Sequence, residues 1–371
     1  GCKVLMTFDP FHAAAQKRVE KKKKPGQYQI LMECDLQKAE REYQTRTISQ
    51  ADPHLIINPS FTVACTWLDK ALEDGKVVSY DIECPKPYDG RLIDCIGLST
   101  TTDEAICIPF YVPSPTGVTR YWKSDKQFEH IYKLIKLLME SEIPKVAQNS
   151  QFDTAMLAHY FDIHVNNLIF DTMIYQHNLY CDLPKDLGTL ISLYTNLPYH
   201  KYLIHSGSTT SRWLYNAADA VANLHVMQGE IQETYEIAGE PPPTLTSDCV
   251  FPSDFWELPL AKHYLAITNP SIASCGKMHL AGVKVDMDMR EKVLAIEQGF
   301  IRELRDALDV AIPFNMNAKN AHNFNPFSPK QKSELFYTLF GCKPIKVKGR
   351  LSCDKKAMAR IAVRYPGPIA T

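Results

Sequence analysis

The stretch Val77-Val78-Ser79-Tyr80-Asp81-Ile82-Glu83 constrains this chain most, because an apolar run ends there in two carboxylates spaced to share one face. The side-chain period of a strand is two, so Asp81 and Glu83 point the same way. Carboxylates held together at a strand end repel each other unless a cation sits between them, and hard oxygen ligands of this kind suit Mg²⁺ or Mn²⁺. Asp-x-Glu alone also describes a solvated strand end, so the weight falls on what stands downstream.

At 371 residues the chain is long enough for two or three cores of ordinary domain size. It is globular in composition, 45% hydrophobic and 22% charged. With a net charge of −1 and a pI near 6.9, any basic patch for nucleic acid must be local. The 11 cysteines lie scattered from Cys2 to Cys353 without a Cys-x-x-Cys pair, which argues against a zinc module and a regular disulfide framework. A reducing cytoplasm is the expected location. No signal peptide, bilayer-length apolar run or internal repeat is visible, so no membrane partner is expected.

Taken in order, Cys2 to Phe8 reads as a strand that opens abruptly, as the tail of something truncated. The basic run Lys17-Arg18 and Lys21 to Lys24 reads as a solvated helix face, with nucleic-acid contact as the alternative, Gln29 to Cys34 as a short strand, Asp35 as the cap of a polar helical stretch, and Thr45 to Pro59 as a linker. A new unit begins near Phe61. Thr66 to Asp74 suggests a helix, and Leu92 to Ser99 with Ala105 to Phe110 suggests an antiparallel meander following the Asp81/Glu83 strand. Ser124 and Gln127 form a capping box before a helix with apolar Phe128, Ile131, Leu134, Ile135 and Leu138. Pro144 to Ala147 is a short buried strand, Gln148 opens a helix in which Asn149 and Asp153 share a face, and Asn166 to Phe170 is one more strand, ended by Asp171. Arg212 to Glu236 is a periodic helix with Tyr215 and Asp219 on one face, and the Pro241-Pro242-Pro243 run closes the unit.

Three segments thus offer acidic side chains at converging spacings: Asp81 with Glu83, Asp153 after Asn149, and Asp219 after Tyr215. As a set they resemble the three motifs of the tyrosine-containing DEDD superfamily of 3′–5′ exonucleases, Asp-x-Glu, Asn-x-x-Phe/Tyr-Asp and Tyr-x-x-x-Asp, over roughly Phe61 to Gly239. The resemblance implies an α/β, RNase H-like mixed sheet flanked by helices and two Mg²⁺ or Mn²⁺ ions. It also implies that Asp81 is shared, Glu83 and Asp219 complete the tighter site, Asp153 holds the second ion, and Tyr215 orients the attacking water. Gln148, Asn149 and Phe152 would touch the terminal nucleotide of a single-stranded DNA 3′ end; for Phe152 a core position is the competing reading. Asp171 resembles an acidic residue of polymerase relatives whose role there is structural.

Further along, Gly282-Val283-Lys284-Val285-Asp286 before a long helix from Met287 to Leu308, Phe324-Asn325-Pro326-Phe327-Ser328-Pro329-Lys330-Gln331, and Ser352-Cys353-Asp354-Lys355 occur in turn. In order, they resemble the segment joining exonuclease to thumb in family A DNA polymerases of the bacterial polymerase I and phage type. The implied layout is a truncated amino-terminal segment and linker over 1–60, an exonuclease over 61–243, and a mainly helical polymerase start over 244–371. Primer-template DNA and the rest of the polymerase domain are the implied partners. Palm and fingers motifs are missing, so this stretch is not expected to polymerise. The amino-terminal piece has a faint likeness to uracil-DNA glycosylase-like domains but carries Asp9-Pro10 where that family has His-Pro, so no activity is inferred from it. Two rival readings are a stand-alone exonuclease of the RNase D or helicase-associated type, disfavoured by the downstream segments, and a silent exonuclease fold, disfavoured by the four retained carboxylates.

Overall fold

The computed structural model describes residues 27–45, 50–84, 92–114, 117–311, 325, 327–347 and 349–365. The expected strand at Cys2–Phe8, the basic run and Asp9-Pro10 lie outside them. Two compact units divide the chain, Gly1–Gly282 and Val283–Thr371.

In the first unit, α1 (Gln27–Thr45) occupies the place where Gln29 to Cys34 suggested a strand. A short apolar run does not by itself tell helix from strand, and here the helix begins upstream of the expected Asp35 cap. Strand β1 (His54–Ile56) lies inside the expected linker and pairs in parallel with β4 (Glu104–Pro109). Such a short strand leaves no periodic trace; its ladder partner is supplied from far along the chain. Helix α2 (Phe61–Asp74) starts where the Ser60 hydroxyl accepts from the Val63 N–H and stops at left-handed Gly75, burying Ala64, Trp67, Leu68 and Ala71.

Strands β2 (Val78–Glu83) and β3 (Cys95–Thr101) form with β4 the expected antiparallel meander. A hairpin, β5 (Tyr111–Ser114) with β6 (Gly117–Arg120), was not anticipated. Helix α3 (Asp125–Glu140) uses the capping box as read, with the Ser124 Oγ accepting from the Gln127 N–H at 3.3 Å and the Gln127 Oε1 accepting from the Lys123 N–H at 3.1 Å. Then follow β7 (Lys145–Ala147), α4 (Ser150–Phe161), β8 (Leu168–Asp171), α5 (Thr172–Leu179), α6 (Leu187–Tyr194) and the long α7 (Thr209–Ala238).

The six-stranded sheet has the order β1-β4-β3-β2-β7-β8, antiparallel at its centre and parallel on both sides. This is the α/β, RNase H-like mixed sheet flanked by helices that the sequence implied. One core joins β2, β3 and β4 to α2 and α3 through residues such as Tyr80, Leu98, Ile106, Leu68 and Ile135. A second core, around Phe170, Tyr175, Leu224 and Met227, draws in Phe255, Ala261 and Tyr264 from beyond the triple proline. There α8 (Pro259–His263) continues through a π turn over Tyr264–Thr268 into α9 (Asn269–Ala281). The compact unit runs on to Gly282, and Phe251, Phe255 and Tyr264, all beyond 243, pack on Phe170 and Tyr175.

In the second unit, α10 (Met287–Ala311) is followed by α11 (Pro329–Ser333), a two-stranded ribbon of β9 (Lys346–Val347) and β10 (Arg350–Leu351), and α12 (Lys355–Arg364). All three downstream motifs mark helix starts, and at the first of them the Asp286 carboxylate accepts from the Met289 N–H at 2.9 Å. Ser328 caps α11 at the Gln331 N–H while the Gln331 Oε1 accepts from the Asn325 N–H, and Asp354 caps α12 at the Ala357 N–H. Phe324 and Pro326 lie outside the described residues. No helix among the described residues is long and apolar enough to cross a membrane.

Candidate active site

The sheet explains why two carboxylates can gather at the end of β2. β7 pairs with β2 only at Val78 and Ser79, so beyond that point the strand has a ladder partner on one side alone. There Asp81 lies opposite Gly97 and Glu83 opposite Cys95 of β3. Helix α7 packs across β2, β3 and β4, and α4, which begins just past β7, carries Asp153 close enough for its charge to act on Asp81.

Gly97 sets how closely α7 can cross. A Cβ at this position would stand 2.5 Å from the Asn216 carbonyl oxygen and 2.9 Å from its Oδ1. Small residues on the helix, Ala217, Ala218, Ala220 and Ala222, allow the same approach from the other side. The result is that Asn216, fully buried, donates its Nδ2 to the Asp81 carbonyl at 3.0 Å and to Asp81 Oδ2 at 2.9 Å. Asp219 follows on the same helix, and oxygens of Asp81, Glu83 and Asp219 lie within 4.8 Å of one another.

Asp153 stands on α4, buried, with its Oδ2 lacking any hydrogen-bond partner. It is outside the tight trio but within its field. Burial pushes its carboxyl well above the usual range, and the charges of Glu83, Asp171 and Asp219 push further. The same causes act on Asp81, where burial leads, Asp153, Asp219 and Glu83 add repulsion, and the Asn216 hydrogen bond offsets part of it. Glu83 is pushed up to about 8, first by burial and then by Asp219, against the opposing pull of Arg212. Arg212 itself is ion-paired to buried Asp94 at the start of β3. A set of hard anionic oxygens with raised carboxyls and an orphaned buried oxygen is the donor set that a divalent cation satisfies.

These shifts carry a stability consequence. A carboxyl whose folded pKa is raised binds more protons in the folded chain than in the unfolded one, so stability falls as pH rises. For Glu83 the loss begins above its ordinary 4.5 and is complete once pH passes about 8. In chelator the melting temperature should therefore drop between about pH 5 and pH 8, and added Mg²⁺ should restore most at the upper end, where protons compete least. Calorimetric melts across that range check this; a flat profile in chelator would exclude it.

Tyr215 precedes Asp219 by one helical turn and is half-buried, its ring 5.6 Å from that of His200. Burial, and next the Asp219 carboxylate beside it, hold its phenol well above 10. Asn149 is not on the helical face shared with Asp153. It stands at the N-cap in the left-handed region with φ 55°, and its N–H donates to Asp171 at 3.2 Å. Phe152 is 47% exposed, which excludes a core position. Gln148 spends its amide inside the protein, donating to the Lys185 carbonyl at 2.7 Å and accepting from the Thr172 hydroxyl.

Asp171 is structural, as the resemblance implied. Its carboxylate accepts from the N–H groups of Asn149, Ser150 and Ile174 and from the Ser150 hydroxyl, so one side chain caps both α4 and α5. Its own N–H donates to the Tyr264 hydroxyl at 2.8 Å. Sequence reasoning missed Asn216, Gly97, Arg212 with Asp94, and His200. Asn216 alone had a local signal, standing between Tyr215 and Asp219.

Residues 63–229 match a family model described as a 3′–5′ exonuclease. No curated protein sequence matches the chain. Among solved structures, the POL domain of Pol1 from M. smegmatis in complex with DNA primer-template and dNTP is similar at 14% identity and a TM-score of 0.46, covering 85% of this chain and 46% of that one. The catalytic core of RRP6 from Trypanosoma brucei is similar at 13% identity and a TM-score of 0.37, covering 53% of this chain and 52% of that one. NrnC of Brucella melitensis bound to pGG is similar at 17% identity and a TM-score of 0.39, covering 64% of this chain and 98% of that one. The chain thus spans about half the length of the first two, 46% and 52%. The four carboxylates and Tyr215 all fall within the stretch 63–229 that matches this 3′–5′ exonuclease model.

Proposed function

We propose that this chain is the proofreading part of a phage-like family A DNA polymerase, a metal-dependent exonuclease that removes mononucleotides from the 3′ end of single-stranded DNA. The observation that carries the reading is the gathering of Asp81, Glu83 and Asp219 oxygens within 4.8 Å, with buried Asp153 beside them.

A phosphodiester repels hydroxide and offers a poor alkoxide leaving group. Two divalent cations, when bound, supply an acidified water on one side and neutralise the leaving oxygen on the other. Asp81, Glu83 and Asp219 would hold the tighter ion, and Asp153 with shared Asp81 the second. Tyr215, protonated throughout the neutral range, is a hydrogen-bond donor and not a general base, so its task is to orient the water. The exposed ring of Phe152 offers a stacking surface for the terminal base, with exposed Asn149 nearby in sequence and Gln148 holding the Lys185 loop. Stacking and phosphate contacts carry no base code, so little sequence preference is expected.

The polymerase context rests on the downstream motifs, and the second unit adds support. Its helix α10 exposes Met289, Val293, Leu294, Phe300, Ile301 and Leu304, an apolar surface suited to the rest of a polymerase domain.

Incubating the chain with 3′- and 5′-labelled single strands, DNA and RNA, in Mg²⁺ and in excess chelator tests the proposal. The expected result is stepwise loss from the 3′ end of DNA, in Mg²⁺ only; undiminished cleavage in chelator would refute the two-metal reading. In the same assay Tyr215→Phe keeps the ring but deletes the donor. Its single-turnover rate at saturating DNA should fall roughly 10- to 1000-fold, or about 1.4 to 4 kcal/mol. Equal rates would remove Tyr215 from the mechanism.

A further inference from the structure

We infer that His200 is a positioning residue that holds Asp219 in its cation-binding orientation, an assignment that rests on the metal reading above. Its Nε2 lies 2.6 Å from Asp219 Oδ1, with the two side chains only 12% and 8% exposed. The other ring nitrogen, Nδ1, lies 3.3 Å from the Pro198 carbonyl. Both partners are acceptors, so an imidazolium donates to both and a neutral ring to one of them, and the ring lies 5.6 Å from that of Tyr215, tilted by 58°.

The geometry assigns His200 a task that α7 cannot perform for itself. Asp219 projects from a helix, and a free aspartate there could rotate away from Asp81 and Glu83, the more so because their charges repel it. His200 reaches it from outside that helix, on the turn just before the 3₁₀ segment Lys201–Ser206. A carboxylate has two oxygens and about four lone-pair sites, so one hydrogen bond locks its rotation and still leaves sites for a cation. Partners that orient metal ligands in this way commonly change metal affinity by about 10- to 100-fold when removed. Packing against Tyr215 extends the effect to the residue that orients the water.

The test compares His200→Met with His200→Gln in the full chain. Both keep side-chain bulk against Tyr215, and only glutamine keeps an N–H donor. Mn²⁺ binding is read from the loss of the free-ion electron paramagnetic resonance signal, independently of cleavage, beside melting curves in chelator. The Met variant should bind Mn²⁺ about 10- to 100-fold more weakly than the parent, and the Gln variant within about threefold of it. A Met variant that binds within about threefold of the parent, or a Gln variant as weak as Met, overturns the assignment. Should the Met variant not fold, His200→Ala takes its place with the same two outcomes, and a Gln variant weaker than the parent by about tenfold or more overturns the role. Failure of the parent chain itself to bind Mn²⁺ would overturn the metal reading, and this assignment with it, whereas normal parent binding with an unaffected Met variant overturns this assignment only.

Discussion

Asp81→Ala should abolish cleavage, with a loss of at least about a thousandfold, equivalent to roughly 4 kcal/mol of transition-state stabilisation. The size follows from position. Asp81 belongs to the tight trio with Glu83 and Asp219 and also feels Asp153, so on the proposed two-ion reading, in which it is the shared ligand, its removal would weaken both positions at once. The fold should survive. Asn216 loses the bond to Asp81 Oδ2 but keeps the one to the Asp81 carbonyl, which alanine retains. Deleting one of several clustered like charges also relieves repulsion, so the melting temperature in chelator should hold or rise. Single-turnover cleavage together with melting with and without metal checks both halves. An Asp81→Ala protein that digests DNA at the parent rate would exclude this site altogether.

Gly97→Ala should be nearly as damaging by a different route. The new Cβ would collide with main-chain atoms of Asn216, and main chain of a packed helix cannot swing aside as a side chain can. Helix α7 must lift from the sheet, carrying Asn216, Tyr215 and Asp219 with it. Overpacking of this kind costs about 1 to 3 kcal/mol of stability, sometimes more. Misplacing catalytic groups by about 1 Å costs on the order of a hundredfold in rate. The expected protein folds with a lowered melting temperature, binds Mn²⁺ poorly and cleaves at least roughly a hundredfold more slowly. Unlike Asp81→Ala, it should be destabilised in chelator as well as in metal. A variant with parent stability and parent rate would show that the crossing tolerates the methyl group.

What could be read beforehand depended on how local each signal was. Asp81 with Glu83, and Tyr215 with Asp219, were legible because strand and helix periods place each pair within one element. The capping box at Ser124 and Gln127 was legible for the same reason, since all its partners lie within four residues. β1 was illegible because its hydrogen bonds come from β4, some fifty residues on, as with His54 and Glu104. Asn149 misled because the helical spacing to Asp153 is real in sequence, yet the chain turns left-handed there to aim its N–H at Asp171. Gly97 looked like any strand residue, and its importance arises only from α7 lying on top of it. His200 carried no pattern at all, because it meets Asp219 through tertiary structure.

The bond from the Asp171 N–H to Tyr264 makes the nuclease a poor cassette. A gene segment ending at the triple proline looks like a complete module, yet its product would lack Tyr264 and Phe255, uncovering one side of Phe170 and Tyr175 and leaving a buried main-chain donor without its acceptor. Recombination that shuffled such a segment between proteins would hand over the four clustered carboxylates without the wall behind them. Inheritance should therefore have kept the nuclease joined to the helical stretch through Ala281, so that the two travel as one piece whatever follows.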